Sequence, residues 1–297
     1  MNINKKINQK YLGICYIILA AFCFASMSLF IRLTGERIST FEKSFFRNLV
    51  AIFFAVIIIR KEKLSFSTMP KHSMKYLWAR AIGGTIGIFC NFYAVDHMMI
   101  ADANLLNKLS PFFAILFSFF LLKEKIRPYQ MLCILLAFFG AVLMLRPGSA
   151  AISVFPAVIG ILGGCGAGFA YTNVRKASSV GVAGPLIVLF FSVFSCIASL
   201  PLMLPVFQLP NTRELICLLL TGLAATGGQF AVTAAYAHAP AREISIYDYT
   251  QILFASLFGV LLFGEVPDLF SILGFITILA ASAIMFFIQR KNFRSAA

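Results

Sequence analysis

Runs of about 20 apolar residues, parted only by short polar stretches, follow one another along nearly the whole chain, and that length is what a helix needs to cross the hydrocarbon of a bilayer. Ten such spans are expected, near 11–33, 43–60, 75–95, 100–122, 127–145, 152–174, 181–205, 213–237, 242–263 and 268–289. A chain that is 60% hydrophobic and only 12% charged is not a soluble globular protein. The expected fold class is therefore an all-α integral membrane protein. Lys5, Lys6 and Lys10 precede the first span, as in a secretory signal, but its apolar run from Tyr11 to Ile31 is too long for one and no cleavage site follows.

The net charge of +14 would suggest a nucleic-acid partner in a soluble protein. Here membrane orientation accounts for most of it, and no nucleic acid is expected. With the N-terminus in the cytoplasm, seventeen of the 25 basic residues fall on the cytoplasmic side. Arg32, Arg37, Lys43, Arg146 and Arg213 fall outside, and Arg47, Arg80 and Lys108 lie within spans. The positive-inside rule places both termini of a ten-span chain in the cytoplasm. The seven cysteines all lie inside apolar spans without metal-ligand spacing and read as small buried hydrophobes.

The chain repeats itself. FYAVDHMMIADANLLNKLSPFFAILFSFFLLKEKI in the first half aligns with AYAHAPAREISIYDYTQILFASLFGVLLFGEVP in the second. Tyr93 falls opposite Tyr236 and Glu124 opposite Glu265, with a two-residue gap in the loop between them. FASMSLFIRL and GAGFAYTNVRK place Arg32 opposite Arg175. Each half (1–146 and 147–297) holds five spans, an odd number, so the halves insert with opposite orientation. Such inverted repeats serve alternating access around a site near the bilayer midplane.

Asn104, Asn107, Lys108 and Pro111 of the fourth span recur at i, i+3, i+4 and i+7, on one helical face. The repeat maps them onto Ser245, Asp248, Tyr249 and Ile252 of the ninth span. Lys108 lies about 12 Å in from one face of the membrane and Asp248 about 9 Å in from the other, at 1.5 Å per residue. An ionised carboxylate inside a span costs roughly 2.5–3.5 kcal/mol on insertion scales, so it is kept where it meets a partner, a ligand or water. Lys108 and Asp248 either hold their helices together as an ion pair or contact a ligand, and a pair that substrate breaks would do both.

Thr226, Gln229, Thr233 and Tyr236 form a polar stripe on the eighth span, with Tyr93 and Asn91 near its counterpart on the third. The threonines suit hydrogen bonds between helices, while Gln229, Tyr93 and Tyr236 suit a cavity lining. Tyr171 and Asn173, with Ser26 and Ser28 opposite, are further lining candidates. Arg47 either reaches the nearer interface or attracts an anionic substrate; Arg80 is expected to extend toward its interface. Trp78 suits an interfacial anchor, and the glycines at 83, 84, 87 and 163–168 suit close helix packing. Glu124 and Glu265, at helix ends, read as structural. His72, His97 and His238 are expected in loops, and no HExxH, CxxC, GxSxG or Walker sequence occurs, so neither a metal or other cofactor nor ATP-driven pumping is expected.

These features together resemble the ten-helix drug/metabolite transporter superfamily, specifically its EamA-type members. The matching residues are Arg32 and Arg175, Arg47 in RNLVA, Phe92–Ala94, Ser110-Pro111, and the acids Glu124 and Glu265. Lys123 replaces the glycine usual before Glu124, and Thr250-Gln251 stands where the second half often has a proline-containing pair. The resemblance implies secondary transport of a small organic metabolite or drug across the cytoplasmic membrane, by a protein that is not an enzyme. The site is expected between spans three, four, eight and nine, with one and six contributing. Lys108 and Arg47 would hold a negative group, Asp248 a positive group or a coupling proton, and Tyr93, Tyr236, Tyr249 and Gln229 the rest. An amino acid, a carboxylate or a nucleoside-like compound would fit, with membrane lipid around a monomer or homodimer and a proton or exchanged solute as coupling partner. A membrane enzyme with its groups at one interface and a channel are the alternatives.

Overall fold

The computed structural model describes residues 3–66, 69–122, 126–145, 154–238 and 245–294. Backbone N–H and C=O groups find no water in hydrocarbon and must be satisfied within the segment, and among the described residues the regular structure is entirely helical. The helices are α1 (Ile3–Thr34), α2 (Thr40–Lys61), α3 (Met74–His97), α4 (Ile100–Asn107), α5 (Ser110–Leu122), α6 (Pro128–Leu145), α7 (Val154–Ser179), α8 (Gly184–Met203), α9 (Thr212–His238), α10 (Thr250–Phe263) and α11 (Leu269–Arg294). A 3-10 turn, Ser245–Tyr249, leads into α10.

Among the described residues, six segments are long and apolar enough to cross a membrane: Tyr11–Thr34, Ile100–Leu121, Val154–Ser179, Gly184–Val206, Thr212–Val232 and Leu269–Ile288. Pro128–Leu143 and Tyr247–Phe263 are shorter apolar helices. Helices α2 and α3 are also long, at 22 and 24 residues, but carry Glu42, Lys43 and Arg47, and Arg80 and Asp96. Large apolar side chains such as Phe53, Phe120, Leu132, Ile197 and Leu261 face outward. A surface that apolar suits lipid rather than water. The protein is a multi-pass membrane protein.

The packings recur in pairs. Helix α1 lies along α9 as α3 lies along α7, and α2 touches α9 as α3 touches α8. Helices α4 and α5 pack on α7, and α10 with its leading turn packs on α1. Helices α2 and α8, α6 and α11, and α4 and α10 meet each other. Along α3 and α7 the backbones nearly touch: a Cβ at Gly166 would meet the Gly83 carbonyl oxygen at 2.8 Å and the Gly87 Cα at 2.9 Å. Only glycine permits that approach, which gains dispersion where lipid offers no hydrophobic drive to association.

Two local expectations are corrected. The fourth span is not one continuous helix; it breaks between Asn107 and Ser110. Pro111 explains the break, because it has no N–H to offer the Asn107 carbonyl and its ring crowds the preceding turn. The chain tightens there instead, with Leu109 N–H bonded to Leu106 and Phe112 N–H to Leu109. His97 and His238 do not lie in loops; each is the last residue of its helix, α3 and α9. Glu124 and the side chain of Tyr236 lie outside the described residues.

Candidate functional site

The break in the fourth span sets the site. Lys108 becomes the C-cap of α4, and Asp248 sits in the 3-10 turn that opens into α10. A cation is favoured at a helix C-terminus and an anion at an N-terminus, so each charge suits the helix end beside it. The structure joins the two directly: Lys108 Nζ donates to an Asp248 carboxylate oxygen. The pair is not sealed, since the Lys108 side chain is 10% exposed and that of Asp248 is 28% exposed.

Around the pair the bonds run between helices. The Tyr249 hydroxyl is tied to Ser282 of α11 and donates to the Lys108 carbonyl at 3.4 Å. Asn104 Oδ1 accepts from Ser28 of α1 at 3.1 Å and from Gln251 of α10, and its Nδ2 donates to the Ile100 carbonyl at 2.7 Å. Asn104 and Tyr249 therefore brace the pair with their bonding capacity already used. Asn107, by contrast, is half-buried and makes no side-chain hydrogen bond among the described residues. Gln251 carried no role in the sequence reading; its place opposite Asn104 becomes evident only once α4 and α10 are seen to cross.

The other candidates divide. Tyr93 stacks on His97, ring centroids 4.0 Å apart, and meets Phe155 edge-on, at the far end of α3 from Arg80. Asn91 is buried, with its Nδ2 unpaired. Gln229 is half-buried on α9. Thr226 bonds the Gly222 carbonyl of its own helix rather than a neighbour, and Asn173 likewise bonds Phe169. Tyr171 is 51% exposed, yet its hydroxyl lies within Coulombic reach of Arg80, Asp248 and Arg47.

Arg80 does not extend toward its interface. Its guanidinium folds over Gly84, one turn further along α3, and stacks on Phe191 of α8 at 4.0 Å from the ring centroid. Arg47 approaches the same ring at 5.7 Å from α2 and donates to Asn48 Oδ1 at 2.7 Å. Asn48 in turn donates to Ser195 of α8 at 2.9 Å. Arg47 of span two was among the expected candidates, whereas Asn48 beside it and Phe191 and Ser195 of span seven were not.

One end of the bundle, that of loop 35–39, is cross-linked by charge. Lys43 Nζ bonds both oxygens of Asp96 at 2.6 and 2.7 Å, with the two side chains 0% and 4% exposed. Arg32 donates to the carbonyls of Val95, Asp96 and Met98 and to Glu265, whose other oxygen accepts the Ile100 N–H at 2.9 Å. Arg37 bonds Glu214 and the Leu209 carbonyl; that carboxylate, by its hydrogen bond, holds the loop guanidinium above its ordinary pKa. Sequence reading passed over Asp96 because it looked like a residue at a span end, outside the hydrocarbon.

The chain matches the EamA-like transporter family twice, over residues 11–146 and 155–287. It is 30% identical over 270 residues to the pseudopaline exporter CntI of Pseudomonas aeruginosa, covering 91% of this chain and 94% of that one. It is 22% identical over 287 residues to an S-adenosylmethionine uptake transporter of Rickettsia prowazekii, covering 95% of each. A solved crystal structure superposes with a TM-score of 0.65 at 16% identity, over 96% of this chain and 97% of the other, a likeness of fold.

Proposed function

The chain belongs to the EamA-like transporter family, and from that premise we propose that it carries a small polar organic metabolite across the cytoplasmic membrane by alternating access. Membrane transport is the activity of its relatives, and the protein is a transporter, not an enzyme. The observation that carries the finer reading is the Lys108–Asp248 pair. Opposite charges meet where two helices are interrupted, with the carboxylate partly open, and broken helices at mid-depth are how transporters present helix ends to a solute. Lys108 takes a carboxylate or similar group, Asp248 takes an amino group or a coupling proton, and Tyr249 and Asn104 hold the two in place.

Two inverted five-helix repeats, 1–146 and 147–297, are supported by the two successive family matches and by the packing. Exchanging the first five spans for the last five turns the α1–α9 contact into α7–α3, and returns α2–α8, α4–α10 and α6–α11 to themselves. The basic residues favour cytoplasmic termini, an orientation that would set the cross-linked end on the outer side. Relatives run in both directions, export and uptake, and the substrate range remains an amino acid, a carboxylate or a nucleoside-like compound.

Counterflow of labelled solutes in proteoliposomes tests the reading. A carrier shows saturable exchange, whereas a channel shows none. Lys108→Ala and Asp248→Asn proteins are expected to lose it. Normal exchange by both variants would remove these residues from the site.

A further inference from the structure

Two positive charges in the interior of the bundle, Arg47 and Arg80, have no carboxylate partner among the described residues. Other cations that enter the helix packing are matched: Lys43 by Asp96, Lys108 by Asp248, Arg32 by Glu265. Arg47 is 7% exposed and donates one hydrogen bond among the described residues, to the neutral Asn48. Arg80 donates none, and the Nε of each guanidinium is buried without a partner. A buried charge left uncompensated is strongly destabilising. The Phe191 ring, lying between the two, returns part of that cost to each through its π face but adds no negative charge.

The placement of Arg80 is built in. A Cβ at Gly84 would stand 1.8 Å from Arg80 Nη1 and 2.9 Å from Phe191 Cε2, so the glycine is what lets the guanidinium turn inward. An arginine that could reach its interface is instead folded onto a ring that a second arginine also approaches. On the same face of α8, one turn from the Ser195 that bonds Asn48, the buried Ser192 hydroxyl has no partner either. Beside them Tyr171 is half-exposed and lies within Coulombic range of both guanidiniums and of Asp248.

We propose that Arg47 and Arg80 form the anion-binding part of the transport site, and that the solute is a di- or tricarboxylate. Two planar forks offer bidentate donors, the geometry that matches carboxylates. A solute with two carboxylates brings the two negative charges that this region lacks, and Tyr171 links it to the Lys108–Asp248 pair. This rests on the transporter reading and names the substrate class of that site.

The test uses the purified full-length protein with succinate and citrate as probes, and arginine, choline, phosphate and sulfate as comparisons. Thermal stabilisation gives binding, and counterflow gives transport. Succinate or citrate is expected to stabilise the protein and to exchange saturably, with Arg47→Gln and Arg80→Gln each weakening binding by about tenfold or more. Should the glutamine variants fail to fold, Arg47→Lys and Arg80→Lys keep the charge and lose the fork. Weaker binding with unchanged melting of the free protein then supports the assignment, and unchanged affinity overturns it. Stabilisation by phosphate or sulfate as strong as by the carboxylates overturns the carboxylate class. Transport of arginine or choline, undiminished by the arginine variants, overturns the anion site and leaves the carrier standing. Carboxylate binding without exchange leaves the anion site standing and removes the carrier.

Discussion

At the scale of single residues, two ion pairs of the same chemistry are set apart by exposure. Lys43 and Asp96 are fully enclosed, whereas Asp248 remains 28% open. Removing one partner from an enclosed pair strands a charge, at a cost of about 3–5 kcal/mol. Lys43→Met is therefore expected to lower the melting temperature in detergent markedly, and adding Asp96→Leu to recover much of it. Lys108→Met leaves a carboxylate that already reaches the opening, so its melting falls less while solute exchange is lost. Equal stability losses in the two single variants would mean that the Lys108–Asp248 pair is structural as well. The costly residues were legible in the sequence: Lys108, Asp248 and Arg47 stand out in apolar runs because few charges survive there. Arg80 was misjudged because depth along a helix says where a Cα lies, not which way a long side chain turns, and Asp96 was passed over at the end of its span. The turn of Arg80 depends on Gly84 and on Phe191, more than 100 residues away, and no local pattern couples them.

At the scale of elements, periodicity foretold helices and left their interruptions to be found. Ser110-Pro111 was noted as a family motif, but its consequence is mechanical: it ends α4 at Asn107 and sets Lys108 at a helix terminus. Pro111→Ala restores the missing N–H and allows α4 and α5 to run on as one helix, drawing Lys108 away from Asp248. Exchange is expected to fall by about tenfold or more, equivalent to about 1.4 kcal/mol, while the protein remains folded by circular dichroism. Undiminished exchange would show that the break does not position the lysine. Helix contacts make the same point for glycine. Gly166→Leu drives a side chain into the α3 backbone and is expected to abolish monodisperse protein in size exclusion. Gly227→Ala meets only Cys23 Sγ at 3.5 Å, an ordinary contact, and is expected to behave as wild type. Sequence showed the glycine runs as packing surfaces; which of them touch backbone depends on how α7 pairs with α3, α4 and α5.

At the scale of the molecule, packings recur between the halves, and under the proposed alternating access that recurrence would give a carrier two related arrangements to move between. Charge cross-links one end: Arg32 and Glu265 join α1, the end of α3, the start of α4 and the loop after α10. Arg32→Gln with Glu265→Gln removes the charge but keeps hydrogen-bonding atoms at both positions, so it biases the balance between the states without leaving a stranded ion. A ligand or mutation moves a two-state equilibrium only by its differential effect on the states, and each 1.4 kcal/mol is about tenfold in population. Hydrogen–deuterium exchange of the purified variant is expected to rise at residues 96–104 and 263–268, and to stay at the wild-type level along the α3–α7 seam, whose glycine packing is unaltered. A rise throughout the bundle would signal general loosening rather than opening of that end, and no rise at 96–104 would show that Lys43–Asp96 alone keeps it shut.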